Sequence, residues 1–400
     1  MIERRVRSIV GADGVLDVDS AGRLEVAPRS EAECALLLSA AHSERWSVRL
    51  AGRGRWTPSD APADLVVSSR RLAGVIDLNP ADLVMTAHVG TLLADLQANA
   101  AQEGTWIALD PPGTSRSLGS VLATGTAGPL RSGFGAVRNR IMGLTFVTAD
   151  GRIVRVGGRV VKNVAGFNIT SLLIGSFGAF GLITSAHVRL NAMPAAENTL
   201  VGQGPRHNLL GSARAILATG TTPAAMELTR DRSAWSLSVR LIGSETAVAA
   251  DRRNITAATS NFDFNVLDGE SSADLWASTG ATTDATSVTI RMGSLQSELE
   301  TALDLLRAEL DGDANANVSV SVLSGVIRWS GEARASKIQN LRNLAAERGW
   351  PVTVERAPWE VLSRVGHYGA FRSGVGRLVT SLRSVFDTRG LLVTPLDKIA

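Results

Sequence analysis

Fourteen of the 39 glycines in this 400-residue chain lie between Gly113 and Gly181, about twice what an even spread would place there. Glycine has no Cβ, so it reaches positive φ and lets another group approach the main chain closely. A stretch this rich in glycine uses its backbone as the working surface. The rest of the composition, 44% hydrophobic and 20% charged, is that of a globular protein whose length suggests two domains, or one with an elaborate second lobe. Cys34 is the only cysteine, which excludes an internal disulfide and a cysteine-ligated zinc or iron–sulfur centre within the chain. The net charge is +3 and no basic run exceeds two residues, so no phosphate-tracking stripe argues for nucleic acid.

The opening MIERRVRSIV lacks the apolar stretch of a secretory signal, so a cytoplasmic location is expected. Val164 to His187 carries no charge before its last residue and is long enough to raise the membrane question. Its glycines, hydroxyls and Asn168 favour a buried helix–loop–strand instead.

Apolar periodicity and punctuation predict an N-terminal half of alternating short elements. Val26 to Trp46 reads as a helix that Ser30 can cap. Strands are expected at Ser47–Ala51, Leu65–Ser68, Val75–Leu78, Leu83–His88 and Trp106–Leu109, with a helix over Thr91–Gln102. Ala149-Asp150-Gly151 marks a hairpin between Ile141–Thr148 and Arg152–Val156. Asn168 can cap a helix over Ile169–Ile174, followed by a strand at Leu182–Leu190. After Pro194 the pattern becomes two rounds of strand–helix–strand–strand–helix–strand, each a ferredoxin-like unit. The first covers Thr199 to about Leu267 and the second Val288 to Glu355, joined by a polar linker from Gly269 to Thr286. Two such units can fuse into one wide antiparallel sheet. A helical tail is expected from Trp359 to Phe386. The domains so read are 1–194, 195–358 and 359–400, the last packing back on the first.

Three glycine-rich segments fit a dinucleotide, whose pyrophosphate is held most simply by converging backbone N–H groups. The first follows a strand: Gly52, Arg53, Gly54, Arg55, Trp56 and Thr57. Thr57 stands where a third glycine would complete a nicotinamide-type fingerprint, and no helix follows, which argues against that class. The second runs from Pro112 and Gly113 through Ser117, Leu118, Gly119, Ser120, Ala123, Thr124 and Gly125 to Gly128. Small residues and hydroxyls there suit a flat ring that needs backbone donors at its polar edge. The third brings Gly178 and Gly181 close before Ile183.

Together these segments resemble the FAD-binding domain of the vanillyl-alcohol-oxidase/p-cresol-methylhydroxylase superfamily. Within it, LATGTAGPLRSGFGAVRN and RVVKNVAGFNITSLLIGSFGAFGLIT resemble the FAD-binding E subunits of bacterial glycolate oxidases, over residues 26–192. The resemblance implies an α+β fold, a p-cresol-methylhydroxylase-type FAD domain followed by an α+β cap. It places the pyrophosphate at 51–57 and the flavin and ribityl chain along Ser117 to Gly125. Gly178, Gly181 and Ile183 fall near the adenine end or the pyrophosphate. Covalent members attach flavin through histidine or cysteine; Arg55 and Trp56 stand in the loop here, so FAD is expected to be non-covalent. Phe177 fills a place that is acidic in the catalytic paralogue, and Val393-Thr394-Pro395-Leu396 replaces the usual Asn-Pro-Gly tail.

Oxidation of a 2-hydroxy acid needs a hydride path, a base for the hydroxyl and a cation for the carboxylate. None of the five histidines has metal-ligand spacing to another. His42, His88 and His187 read as structural and His207 as an exposed helix start, leaving His367 beside Tyr368, the only tyrosine, as the best candidate. Catalytic residues stay unassigned. Three readings follow: an FAD subunit of a multi-subunit glycolate or other 2-hydroxy-acid oxidase, working with a catalytic flavin paralogue and an iron–sulfur subunit; a non-catalytic electron-transfer or scaffold subunit; and a free-standing alcohol or sugar oxidase. No transmembrane segment or nucleic-acid partner is expected, and any membrane contact would run through a partner.

Overall fold

The computed structural model describes residues 2–18, 23–53, 62–113, 115–159, 168–231, 234–259, 262–279, 288–310, 316–369, 371 and 373–398. Two sheets build the N-terminal half. A four-stranded sheet runs in the order Val15–Val18, Leu24–Val26, Leu65–Ser68, Val48–Ala51, with the last three strands parallel. The helices Ile2–Val10 and Glu31–Glu44 cover it, burying Val6, Val10, Leu37 and Leu38 against Leu24, Val48 and Leu65. The second helix begins five residues later than the sequence suggests. Ser30 caps it by accepting from Glu33 N–H, and the residues just before belong to the Leu24–Val26 strand.

A five-stranded antiparallel sheet follows: Val75–Asn79, Val84–His88, Leu182–Arg189, Ile141–Val147, Ile153–Gly157. Helices Leu93–Gln102 and Leu118–Thr124 pack Leu96, Val121 and Leu122 on its Met85, Phe146 and Val188. The strand expected at Trp106–Leu109 shrinks to Thr105–Trp106, paired with Asn191–Ala192. In the described part of the uncharged stretch, helix Ile169–Leu173 leads to strand Leu182–Arg189. Among the described residues, no helix is long and apolar enough to cross a membrane.

The cap is one eight-stranded antiparallel sheet. Its first four strands, Ala196–Gln203, Ala225–Asp231, Ala234–Gly243 and Asn265–Leu267, lie in spatial order 4-1-3-2. The next four, Val288–Gly293, Asn317–Ser321, Val326–Gly331 and Val352–Arg356, repeat that order in mirror sequence across the sheet. The two ferredoxin-like units join where 225–231 pairs with 317–321. Four helices, Arg206–Ala218, Glu245–Ala258, Leu299–Leu310 and Ala335–Ala346, cover one face. That face supplies Met226, Leu228, Val318, Val320, Ile327 and Trp329 to a single apolar core.

Two expectations change. The linker from Gly269 holds a helix, Gly269–Ser278, whose Trp276 is buried and donates Nε1–H to Thr199 Oγ1 at 2.7 Å. The tail is two helices, Trp359–Val365 and Val375–Phe386, rather than one. Gly366 and Gly374, at φ 65° and 90°, break the run, and between them His367 and Tyr368 attach to the edge of the 352–356 strand. The chain then returns to the first sheet: Val48 N–H donates to Leu391 O and Val393 N–H to Val48 O, both at 2.8 Å.

Candidate functional site

A cleft partly open to solvent lies between the end of strand Val48–Ala51, the helix Leu118–Thr124 and the 177–183 loop. It gathers Gly52, Arg53, Ser117, Gly119, Ser120, Ala123, Thr124, Gly178, Gly181 and Ile183 from all three glycine-rich segments. Residues as far apart in sequence as Gly52 and Ile183 thus share one wall because the two sheets meet there. Gly181 shows why the backbone must be bare: φ is 135°, and a Cβ would lie 2.3 Å from Val147 O.

Other expected residues fall elsewhere. Leu118 is wholly buried in the core, because Ser117 to Gly125 is not an open loop but a capped helix whose apolar face points inward. Gly125 ends that helix at φ 62°, Gly128 packs against the Asp110 backbone, and Pro112 and Gly113 are not among the lining residues, Pro112 O instead accepting from Arg116. Gly54, Arg55, Trp56 and Thr57 lie outside the described residues.

Sequence reasoning missed Arg116 and Phe177 as lining residues. Arg116 is 5% exposed and fastens the helix to the loop before it, donating to Ser120 Oγ at 2.9 Å, Thr124 Oγ1 at 2.8 Å and Pro112 O at 3.3 Å. Burial pushes its pKa down to about 9. Its charge within an otherwise uncharged loop was the available signal. Phe177 holds φ 52°, a left-handed conformation costly for a side chain with a Cβ. Its ring touches the cap edge, 5.3 Å from His367 and 6.1 Å from Tyr368 between centroids.

The cap turns its other sheet face to this region. Strand alternation puts Glu227, Ser238, Ser319, Arg328, Arg291, Thr353 and Glu355, from six strands, opposite the apolar core, and register aligns Ser319, Arg328, Arg291 and Thr353 in one row across it. Between Thr289 and Ile290 the register shifts, leaving Glu355 as an extra residue between Val354 and Arg356. Its carboxylate accepts from Arg291 Nε at 3.0 Å and from Arg328 Nε at 2.9 Å. Arg328 Nη2 also donates to Ala127 O at 2.7 Å, tying the cap to the N-terminal half.

Burial opposes ionisation of Glu355, but Arg328 and Arg291 outweigh it and hold the carboxyl below its ordinary range. Burial likewise opposes the charge of Arg328, and Glu355 outweighs it. Asp110 and Glu227 have no such compensation. Burial pushes them up to about 7 and about 8, although Asp110 accepts from Leu130 N–H and Glu227 from Ser321. Glu227 Oε1 has no partner among the described residues. His367 is pushed down to about 4 by burial. Its Nδ1 lies 2.7 Å from Val354 O, and a carbonyl only accepts, so Nδ1 carries the hydrogen and Nε2 is left as an acceptor. Tyr368 is pushed up to about 12 by burial, with Arg291 pulling the other way. Of the other histidines, His187 Nδ1 bonds Thr86 Oγ1 at 2.9 Å and His207 is exposed in the first turn of helix Arg206–Ala218.

The arrangement is a small-residue cleft with cationic and hydroxyl donors, bordered at Phe177 by the cap, whose sheet face carries guanidinium groups. Residues 23–157 match the FAD binding domain family. Glycolate oxidase subunit GlcE of Escherichia coli (strain K12) is 36% identical over 129 residues, 32% of this chain and 37% of that protein. A probable mitochondrial D-lactate dehydrogenase of Danio rerio is 31% identical over 213 residues, 52% of this chain and 43% of that one. The chain thus spans less than half the length of these relatives. The solved structure of p-cresol methylhydroxylase superposes with a TM-score of 0.79 over 100% of this chain and 96% of that chain, at 12% identity, and so shares its fold. Residues 23–157 are therefore an FAD-binding domain, and the chain as a whole has the fold of p-cresol methylhydroxylase.

Proposed function

We propose that this chain is the FAD-binding subunit of an enzyme that oxidises a small 2-hydroxy acid of the glycolate or D-lactate type. The observation that carries the reading is the arginine-bearing sheet face beside the cleft: Arg291 and Arg328 share Glu355 there, and Arg116, which lines the cleft, feels the charges of both Glu355 and Arg328. The relatives named for glycolate and D-lactate oxidation support the substrate class. In this reading the residues from Gly52 to Thr57 hold the pyrophosphate, and Ser117, Gly119, Ser120, Ala123 and Thr124 flank the flavin with Gly178, Gly181 and Ile183. FAD is held without a covalent bond and supplies the hydride acceptor when bound.

The chain's own groups divide the remaining work. Arg291, whose Nη2 makes only a long contact to Thr353 Oγ1 at 3.4 Å, binds the substrate carboxylate, since a guanidinium fork matches a carboxylate in geometry and charge. Arg328, already committed to Ala127 O and Glu355, orients Arg291 through the shared carboxylate. His367 offers Nε2 as an acceptor for the hydroxyl proton. Phe177, Tyr368 and the buried strands exclude water.

A second reading has the same subunit bind FAD while a catalytic flavin paralogue carries out the oxidation. It is supported by the described residues containing no group of three His, Cys, Asp or Glu arranged for a metal. Electrons would then leave through an iron–sulfur subunit, because one cysteine cannot ligate a cluster. The complex would sit in the cytoplasm, meeting the membrane only through a partner. One experiment separates the readings. The purified chain is loaded with FAD and mixed anaerobically with glycolate or D-lactate. Bleaching of the flavin absorbance places the oxidation here; a yellow protein that does not bleach assigns it to the partner. A chain that retains no FAD overturns both.

A further inference from the structure

Two arginines line the cleft, and they are held in opposite ways. Arg53 is exposed, so solvent screens its charge. Arg116 is 5% exposed and built into the wall. It directly precedes Ser117, the cap of helix Leu118–Thr124, and its guanidinium folds forward onto that helix. Nε donates to Ser120 Oγ at 2.9 Å, and Nη2 to Ser120 O at 3.2 Å and Thr124 Oγ1 at 2.8 Å. Nη1 donates back to Pro112 O at 3.3 Å, so one side chain ties the helix to the loop before it. These four acceptors are neutral. They fix the guanidinium in place without cancelling its charge.

The same contacts decide what the two hydroxyls can offer a ligand. Thr124 Oγ1 gives its proton to Ser120 O at 2.7 Å and accepts from Arg116 and from Thr126 Oγ1, the latter at 2.8 Å. Its proton and both lone pairs are thereby used. Ser120 Oγ accepts from Arg116 and so keeps its proton to donate into the cleft that it lines. Burial pushes the Arg116 pKa down to about 9, which leaves the side chain charged at neutral pH. Hydride transfer from a 2-hydroxy acid carries two electrons and one proton to the acceptor ring, while the hydroxyl proton goes to the base. The ring therefore gains one negative charge. A buried cation already in position stabilises that charge without reorganising, and a hydroxyl turned to donate adds to the effect.

We propose that Arg116 is a positioning residue that raises the reduction potential of the bound flavin, through its own fixed charge on the cleft wall and through the Ser120 hydroxyl that it turns into a donor. This rests on the reading that Ser117 to Thr124 flank the flavin. The test is a redox titration of the FAD-loaded full chain against reference dyes, with no substrate present. The wild-type potential lies above that of free FAD. Arg116→Gln, which can still donate to Ser120 but carries no charge, lowers the ratio of reduced to oxidised flavin by about tenfold or more, about 30 mV for a two-electron couple. Arg116→Lys keeps the charge and stays within about threefold of wild type, about 15 mV. A potential unchanged in Arg116→Gln, or lowered equally in both variants, overturns the proposal and leaves the FAD reading standing, with Arg116 a structural fastening. If Arg116→Gln does not fold, the wild-type chain decides, since a potential at or below that of free FAD also overturns the proposal. A wild-type chain that retains no FAD overturns the flavin reading itself.

Discussion

The two halves of the cap sheet have the same strand order and share one apolar core, yet their other faces are finished differently. In the first half Thr199 stands opposite Arg240, and Arg240 forks onto both oxygens of Glu197 at 2.9 and 3.0 Å. Trp276, brought in by helix Gly269–Ser278, lies under that guanidinium at 5.5 Å and bonds Thr199. The face is closed on itself. In the second half the corresponding pair is Arg291 opposite Arg328, with one glutamate between them and the FAD-binding domain as the cover. One scaffold therefore carries a finished surface and an unfinished one. The unfinished half presents donors to whatever lies between the domains.

Arg328→Ala tests that contrast with the largest expected effect. Removing one partner of a buried, hydrogen-bonded pair costs about 3–5 kcal/mol, and the link to Ala127 O is lost with it. Urea unfolding should show a loss in the lower part of that range, because Glu355 keeps Arg291. Arg240→Ala, in the closed half, should cost about 1 kcal/mol, as Glu197 retains Ser272 at 3.1 Å and some solvent. If Arg240→Ala proves the costlier change, the two halves are not differentiated in the way described.

Trp276→Ala approaches from the other side. Truncating a buried tryptophan costs about 3 kcal/mol, and here it also frees the helix it anchors. Because that helix seals only the first half, FAD affinity followed by flavin fluorescence should stay near the wild-type value. A parallel loss of FAD would show that the closed half supports the cleft as well.

This helix also marks the limit of what could be read in advance. GESSADLWAS is polar with one tryptophan, and nothing local distinguishes it from a linker; it is helical because Trp276 and Ser272 find Thr199 and Glu197. The strands of both cap units were legible because SLSVRLI and VSVSVL alternate with a period of two. The same alternation hid the site. Arg291, Arg328 and Glu355 occupy positions that look like ordinary solvent-facing ones until another domain covers them. In the N-terminal half the glycines announced the cleft, since positive φ and close approach have few other substitutes. They did not reveal that Leu118–Thr124 is a helix, so Leu118 was assigned to a surface it does not reach.

Acidity should register where the halves join. Glu227 sits on the strand at that seam, facing Ser321 and Ser238, with Asp110 and Arg328 acting on it from either side of the junction. Both acids are raised from about 4 when unfolded to about 7 and about 8 when folded. The folded chain therefore holds protons that the unfolded chain releases. Their contribution to stability is full below about pH 4 and is lost as the pH rises through 7 to 8. Unfolding followed at about pH 5 and about pH 8.5 should show stability falling as these groups give up their protons. Glu227→Gln, which keeps the shape and the contact with Ser321, should remove about half of that slope. A slope unchanged in Glu227→Gln would place the effect elsewhere.

The smallest expected change in stability is the sharpest test of the comparison. Arg291→Thr writes the first half's pairing into the second, because threonine is what stands opposite Arg240. The substitution removes an arginine facing an arginine, a gain of a few tenths to about 1 kcal/mol. It also removes one of two partners from Glu355, which keeps Arg328 at 2.9 Å. The two terms oppose each other, so stability should stay within about 1 kcal/mol of wild type. Carboxylate affinity should not survive: without the Arg291 fork, binding of butyrate to the FAD-loaded chain falls by about tenfold or more. A fold that tolerates this exchange while losing its ligand shows that the second half gives up internal charge pairing for recognition. A variant that keeps its affinity would mean that Arg291 is as structural as Arg240.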